Sequence, residues 1–193
     1  MNKKLAAALS GSAVVVLALS GCGGDEGNEK AERWAVEYCG SLQKQNKSID
    51  GANQALTRIT EGDKSPEEVK ETDVKAFGDL SAAYKALSAA VRRAGVPPLE
   101  DGSRIQKNAI SQLDALSATY ADLQKRAEDL NEKDQSEFAD GLQEIAEEMK
   151  KLPRQFGGVE KALGEFRQGD LQEAIAGQKG CRKPSPAPSV SAA

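Results

Sequence analysis

The sequence predicts an all-α fold: an up-down-up-down antiparallel four-helix bundle with a short C-terminal helix. Three observations carry this. Apolar residues step by 3 and 4 in four separate stretches, which puts each set on one stripe of a helix. No stretch alternates with period 2 over strand length. Capping and helix-stopping residues fall between the stripes. The chain has 193 residues, 39% of them hydrophobic and only 4% aromatic, so one domain with an aliphatic, Ala-rich core is expected.

The first stripe runs Ala35, Tyr38, Leu42, Gln45, Ile49, Ala52, Leu56, Ile59, and Glu61-Gly62-Asp63-Lys64 breaks it. Ser65-Pro66-Glu67-Glu68 offers a capping Ser, Pro at the first helical position and Glu three residues after the cap. It predicts a short turn, after which Thr72 recaps the second helix. That helix carries Val74, Phe77, Leu80, Tyr84, Leu87 and Val91, with enough Ala between them for close helix approach. Gly95, Pro97 and Pro98 end it, since Gly accepts a left-handed stop and Pro cannot continue a helix. Arg92 and Arg93 in its last turn complement the helix dipole.

The third helix begins near Asp101 or Ser103 and carries Ala109, Leu113, Leu116, Tyr120, Leu123, Ala127 and Leu130. Asn131-Glu132-Lys133 is a tight connection, and Asp134 with Glu137 repeats the capping box. The fourth stripe runs from Phe138 through Leu142, Ile145, Met149, Leu152, Phe156, Val159 and Leu163 to Phe166. Pro153 should kink that helix, and Gly157-Gly158 weakens the same region. Asp170 and Glu173 are read as capping the last short helix, which ends by Gly180. Short connections make successive helices antiparallel.

Residues 1–21 read as a secretory leader: Lys3 and Lys4, then an apolar run from Leu5 to Leu19 that is too short for a comfortable membrane span. The run ends in Leu19-Ser20-Gly21-Cys22. This resembles the lipobox of bacterial lipoproteins, whereas an ordinary leader would contain such a Cys only by chance. The resemblance implies that Cys22 is acylated, becomes the new N-terminus and anchors the chain to the membrane; two acyl chains suffice for stable anchoring. Loss of residues 1–21 would leave 24 basic against 30 acidic side chains, moving the formal charge from −4 to −6. Residues 22–30 are expected to be the lipidated N-terminus and a flexible tether, residues 31–181 the bundle domain, and residues 182–193 a Pro/Ser/Ala-rich disordered tail.

With Cys22 lipidated, two cysteines remain, in an oxidising compartment. The topology returns the end of the fourth helix to the pole where the first begins, which brings Cys39 and Cys181 together. A Cys39–Cys181 disulfide is expected; the alternative is two free buried thiols. Closing so long a loop contributes roughly 5 kcal/mol in the chain-entropy model.

The chemical inventory is narrow. The chain has no His, which excludes a Ser-His-Asp triad, an HExxH zinc site and a bis-His haem. Its acidity argues against a nucleic-acid partner. Adjacent acids such as Glu147 and Glu148 point about 100° apart on a helix and lie off the seams; Glu147 with Lys151 reads as a surface i,i+4 pair. Asp129 to Asp134 fails the Ca²⁺-loop pattern, with Lys133 at the fifth position and Asp134 where Gly is needed. No catalytic residue, metal site or cofactor is expected. Trp34, Tyr38, Tyr84 and Tyr120 remain: they either line a ligand slot between helices or close the core at the bundle ends, with the phenol reaching water.

The leader, the Trp34 to Cys39 opening, Ala83-Tyr84-Lys85-Ala86-Leu87, Gly95 with Pro97-Pro98, and the terminal Gly180-Cys181 together resemble small secreted proteins and lipoproteins of actinomycetes. The resemblance implies localisation at the extracytoplasmic face of the cell membrane and helical character, and no active site. The expected function is a non-enzymatic, lipid-anchored envelope bundle that binds a protein or wall component. A carrier of a small molecule or lipid in a slot between helices is the alternative.

Overall fold

The structure, a computed structural model, describes residues 24–61 and 63–182. The leader, Cys22 and all of the C-terminal tail except Arg182 lie outside them. The described residues form six α-helices and no strand: α1 (Gly24–Ile59), α2 (Pro66–Ala94), α3 (Gly102–Glu128), α4 (Gln135–Met149), α5 (Leu152–Gly164) and α6 (Gly169–Gly177). A 3₁₀ turn, Lys179–Cys181, follows. No helix among the described residues is long and apolar enough to cross a membrane.

The predicted signals act locally, with four corrections. The Ser65 hydroxyl accepts from the Glu68 N–H at 3.2 Å, and the Glu68 carboxylate accepts from the Ser65 N–H at 3.0 Å, with Pro66 in the first turn. This complete capping box starts α2 outright, and Thr72 does not recap it. No helix breaker stands between Pro66 and Thr72, and Val69 packs against the core, so the first turns stay in one helix. Gly95 ends α2 at φ 79°, donating its N–H to the Arg92 carbonyl.

The second correction is at α4, where Asp134 caps Ser136 and Glu137 through its carboxylate. Glu137 does not return the bond; its side chain accepts from Asn131 Nδ2 at 2.7 Å. The third is at Pro153, which breaks the fourth stripe where a kink was expected. Pro153 has no N–H for the carbonyl four residues back. The chain turns at Lys150 and Lys151 and restarts as α5, with Pro153 in the first turn, where no such bond is required. The break also moves the acid–base register: Glu147 pairs with Lys150 at 2.5 Å and Glu148 with Lys151 at 2.7 Å, so the expected Glu147–Lys151 pair is not made. The fourth is at α6, where Asp170 lies inside the first turn and Gln168 holds the cap position without a side-chain bond.

α1 begins at Gly24, inside the stretch read as a tether, and Ala31 is fully buried. α1 and α2 run antiparallel, as do α2 and α3, while α6 runs parallel to α1. The end of α2 meets the start of α1 through Arg93–Glu37, and meets the first half of α3 through Arg92–Asp114. The start of α2 meets the chain just beyond α3, where Lys70 donates to the Leu130 carbonyl at 2.7 Å. This lysine also bonds Glu132 and holds its carboxyl below the usual range. In mid-helix Ser81 and Ser117 each donate to the other's backbone carbonyl, at 3.0 and 2.9 Å, which ties α2 to α3. Glu165, just after α5, reaches back to the start of α3 through Arg104 and Asn108.

One continuous core joins these helices, built on Phe77, Leu80, Ile105, Leu113, Leu116 and Leu123, with Phe166 and Leu171 sealing one end. Each buried aliphatic side chain contributes roughly 1.5–3 kcal/mol of transfer free energy before chain entropy is set against it.

Candidate functional site

Cys39 and Cys181 form a disulfide with their Cα atoms 5.0 Å apart. α6 and its 3₁₀ turn run beside the first half of α1. Gly27 faces Asp170 at one end of this contact, and Gly180 lies against the Cys39 backbone at the other. A Cβ on Gly180 would overlap the Cys39 carbonyl, so only glycine lets the two backbones approach closely enough for the bridge.

The sequence-predicted aromatics separate into two clusters. Trp34 packs at a tilt against Tyr38 with centroids 5.0 Å apart and against Phe166 at 4.7 Å, and Tyr38 meets Phe166 edge-on at 5.7 Å. This cluster adjoins the disulfide. The second lies between α2, α3 and α5: Tyr84 and Tyr120 stack within 3° of parallel at 5.7 Å, and the half-exposed Phe156 leans on both. Burial raises the pKa of all these phenols, to about 12 for Tyr38 and Tyr84, and raises Tyr120 further because Tyr84 adds to it. All three tyrosines are protonated at neutral pH.

The clusters differ in what lies beside them. Next to Tyr38 is a cavity of about 430 Å³ between α1, α5 and α6. Leu42, Leu163, Ile175 and the disulfide at Cys181 form its apolar walls. Glu160, Gly164 and Arg167 complete it. Tyr38 is only 5% exposed, and its hydroxyl makes no hydrogen bond among the described residues. The Arg167 charge lies near enough to Tyr38 to oppose part of the effect of burial on it. Trp34 is committed elsewhere, donating its indole N–H to the Gly95 carbonyl at 2.9 Å.

Sequence reasoning singled out Tyr38 and Cys181 but missed Glu160, Gly164 and Arg167. The charged pair lies off the apolar stripe, where it looks like any solvated helix face. It also missed Asp73, which sits one turn from Val69, Ala76 and Phe77 on the core side of α2 and is 7% exposed. Burial without any ion pair raises its carboxyl to about 6. Asp73 does not line the cavity beside Tyr38. Among the described residues no group of three or more His, Cys, Asp or Glu is placed to hold a metal ion. No protein-family model, curated protein or solved structure matches the chain.

Proposed function

We propose that this is a lipid-anchored, non-enzymatic helical bundle, held at the extracytoplasmic face of a bacterial cell membrane through acylated Cys22 and binding an envelope protein or wall component. The observation that carries the reading is the Cys39–Cys181 disulfide, which joins α1 to the 3₁₀ turn after α6. Such a bond persists in oxidising compartments outside the cytoplasm, where a chain opening with Leu19-Ser20-Gly21-Cys22 would be delivered. The antiparallel contacts support an up-down-up-down four-helix bundle, with α4 and α5 as two segments of the fourth arm. Val36 offers a partner an apolar point: it is 57% exposed on the outer face of α1, among Glu29, Glu32, Arg33 and Glu37. Crosslinking in intact membranes, followed by identification of what is attached, tests the proposal. Repeated recovery of nothing, under conditions that capture a partner of a control lipoprotein, would count against it.

A carrier role is the second reading, favoured by the cavity beside Tyr38. Its volume falls in the range of small-molecule pockets, about 300–1,000 Å³.

A further inference from the structure

We infer that the cavity between α1, α5 and α6 binds a small monocarboxylate with an apolar body, a short fatty acid in chemical class, its head group held by the Tyr38 hydroxyl and the Arg167 guanidinium. This inference rests on the carrier reading and names its ligand. Three observations carry it. The walls from Leu42, Leu163, Ile175 and the disulfide are apolar and come from three separate elements, so the space is a built slot. A phenol hydroxyl that is protonated at neutral pH and unpartnered among the described residues is open to donate into it. Finally, Arg167 makes no ion pair among the described residues and lies close enough to Tyr38 for its charge to act on the phenol.

The head group follows from this polarity. Tyr O–H and guanidinium N–H are both donors, and together they match a carboxylate, which only accepts. The guanidinium also supplies the opposite charge. Glu160 lies one turn before Gly164 on α5, whereas Arg167 lies beyond the end of that helix. Glu160 lines the same cavity and disfavours a second anionic group at that end. A ligand with one carboxylate and an uncharged tail satisfies both ends.

Gly164 supplies the steric test. A Cβ placed there meets no atom within 4 Å, and the residue lines the cavity, so a larger side chain fills the slot without forcing the fold. The chain's single tryptophan supplies the signal, because Trp34 packs against Tyr38 at the cavity wall. The full chain is titrated with octanoate, octan-1-ol and octylammonium, and Trp34 emission is followed. Octanoate should give a saturable change and bind about tenfold or more tightly than either of the others. Arg167→Gln, at an exposed residue, should bring octanoate down to the octanol level, and Gly164→Leu should abolish the response to all three. A flat response to every probe overturns the ligand site and the carrier reading with it. Equal binding of the three probes leaves the carrier reading standing and overturns the carboxylate assignment. A response that survives Gly164→Leu, in a variant whose unfolding midpoint is unchanged, puts the probe elsewhere and overturns the site.

Discussion

The indole of Trp34 donates a 2.9 Å hydrogen bond to the backbone carbonyl of Gly95, sixty-one residues away, at the point where α2 stops. One side chain thus fastens the start of α1 to the end of α2. The acceptor is free for it because Gly95 leaves the helix at φ 79°. Trp34→Phe keeps most of the ring contact with Phe166 but removes the donor. It should cost about 1–3 kcal/mol, the range for a buried acceptor left without its partner. Trp34→Ala should cost about 3–5 kcal/mol, because packing is lost as well. Urea unfolding of both variants checks the order; no loss in Trp34→Phe would show that the hydrogen bond contributes nothing.

The staple across the domain should be worth several kcal/mol. Cys39→Ser and Cys181→Ser should lower the unfolding midpoint by similar amounts, and the double variant should be no worse than either, because all three lose the same bond. Removing a native disulfide typically costs about 2–5 kcal/mol. Far-UV circular dichroism should stay helical in the reduced protein at low temperature. Thermal unfolding with and without reductant measures the difference.

Gly180→Ala tests the close approach independently of the cysteines. The added methyl would collide with the Cys39 carbonyl, which is backbone and cannot move aside as a flexible side chain can. The 3₁₀ turn should lift away from α1 and leave a fraction of the protein with free thiols after air oxidation. Thiol titration of the denatured variant reads that fraction, and full oxidation at the wild-type rate would contradict the expectation.

Asp73 gives a pH dependence of defined sign. Its carboxyl is raised to about 6 in the folded protein, against 3.8 when exposed, so the folded state holds the proton more tightly. Its contribution to stability is therefore fullest below about pH 4. It falls as pH rises from 4 to 6 and stays reduced above that. Asp73→Asn removes the buried charge. It should stabilise the protein at pH 7 by roughly 1–3 kcal/mol, seen as a rise of about 3–10 °C in melting temperature. The advantage over wild type should vanish near pH 4. Paired melts across that range give the answer, and a destabilised variant at pH 7 would reverse the sign.

Cys22→Ala probes the proposed anchor. The variant should appear in the medium, or remain at the membrane with its leader uncut. Cell fractionation with metabolic labelling by a fatty acid distinguishes these outcomes from continued acylation and normal cleavage, which would remove Cys22 as the anchor.

Periodicity and capping are local properties, and what depends on them was legible. The stripes through Phe77, Leu113 and Leu123 lie in the core as read, and Ser65, Gly95 and Asp134 punctuate the helices. The Cys39–Cys181 pairing was expected from a chain order that returns to the start of the first helix; the structure makes the bond near the middle of α1, because α1 already begins at Gly24 and α6 runs alongside it. Other features were balanced between local alternatives. Pro153 could kink or break, and the break left Phe156 half-exposed on a stripe that otherwise faces inward. Thr72 could cap, but a complete box at Ser65 and the packing of Val69 had already extended the helix past it.

The chain's local chemistry decided that it is helical and where most helices start and stop, because these follow from neighbours a turn or two away. Tertiary packing alone decided which polar groups acquire unusual surroundings. Asp73 and Glu71 are two acids two positions apart in sequence, yet only Asp73 is carried into the core and loses water. Arg167 and Glu160 are surface charges until α1 and α6 close against α5 and place them, with the unpartnered Tyr38 hydroxyl, around one cavity. Desolvation and convergence arise only when distant segments meet in space, and no periodicity along a single helix encodes them.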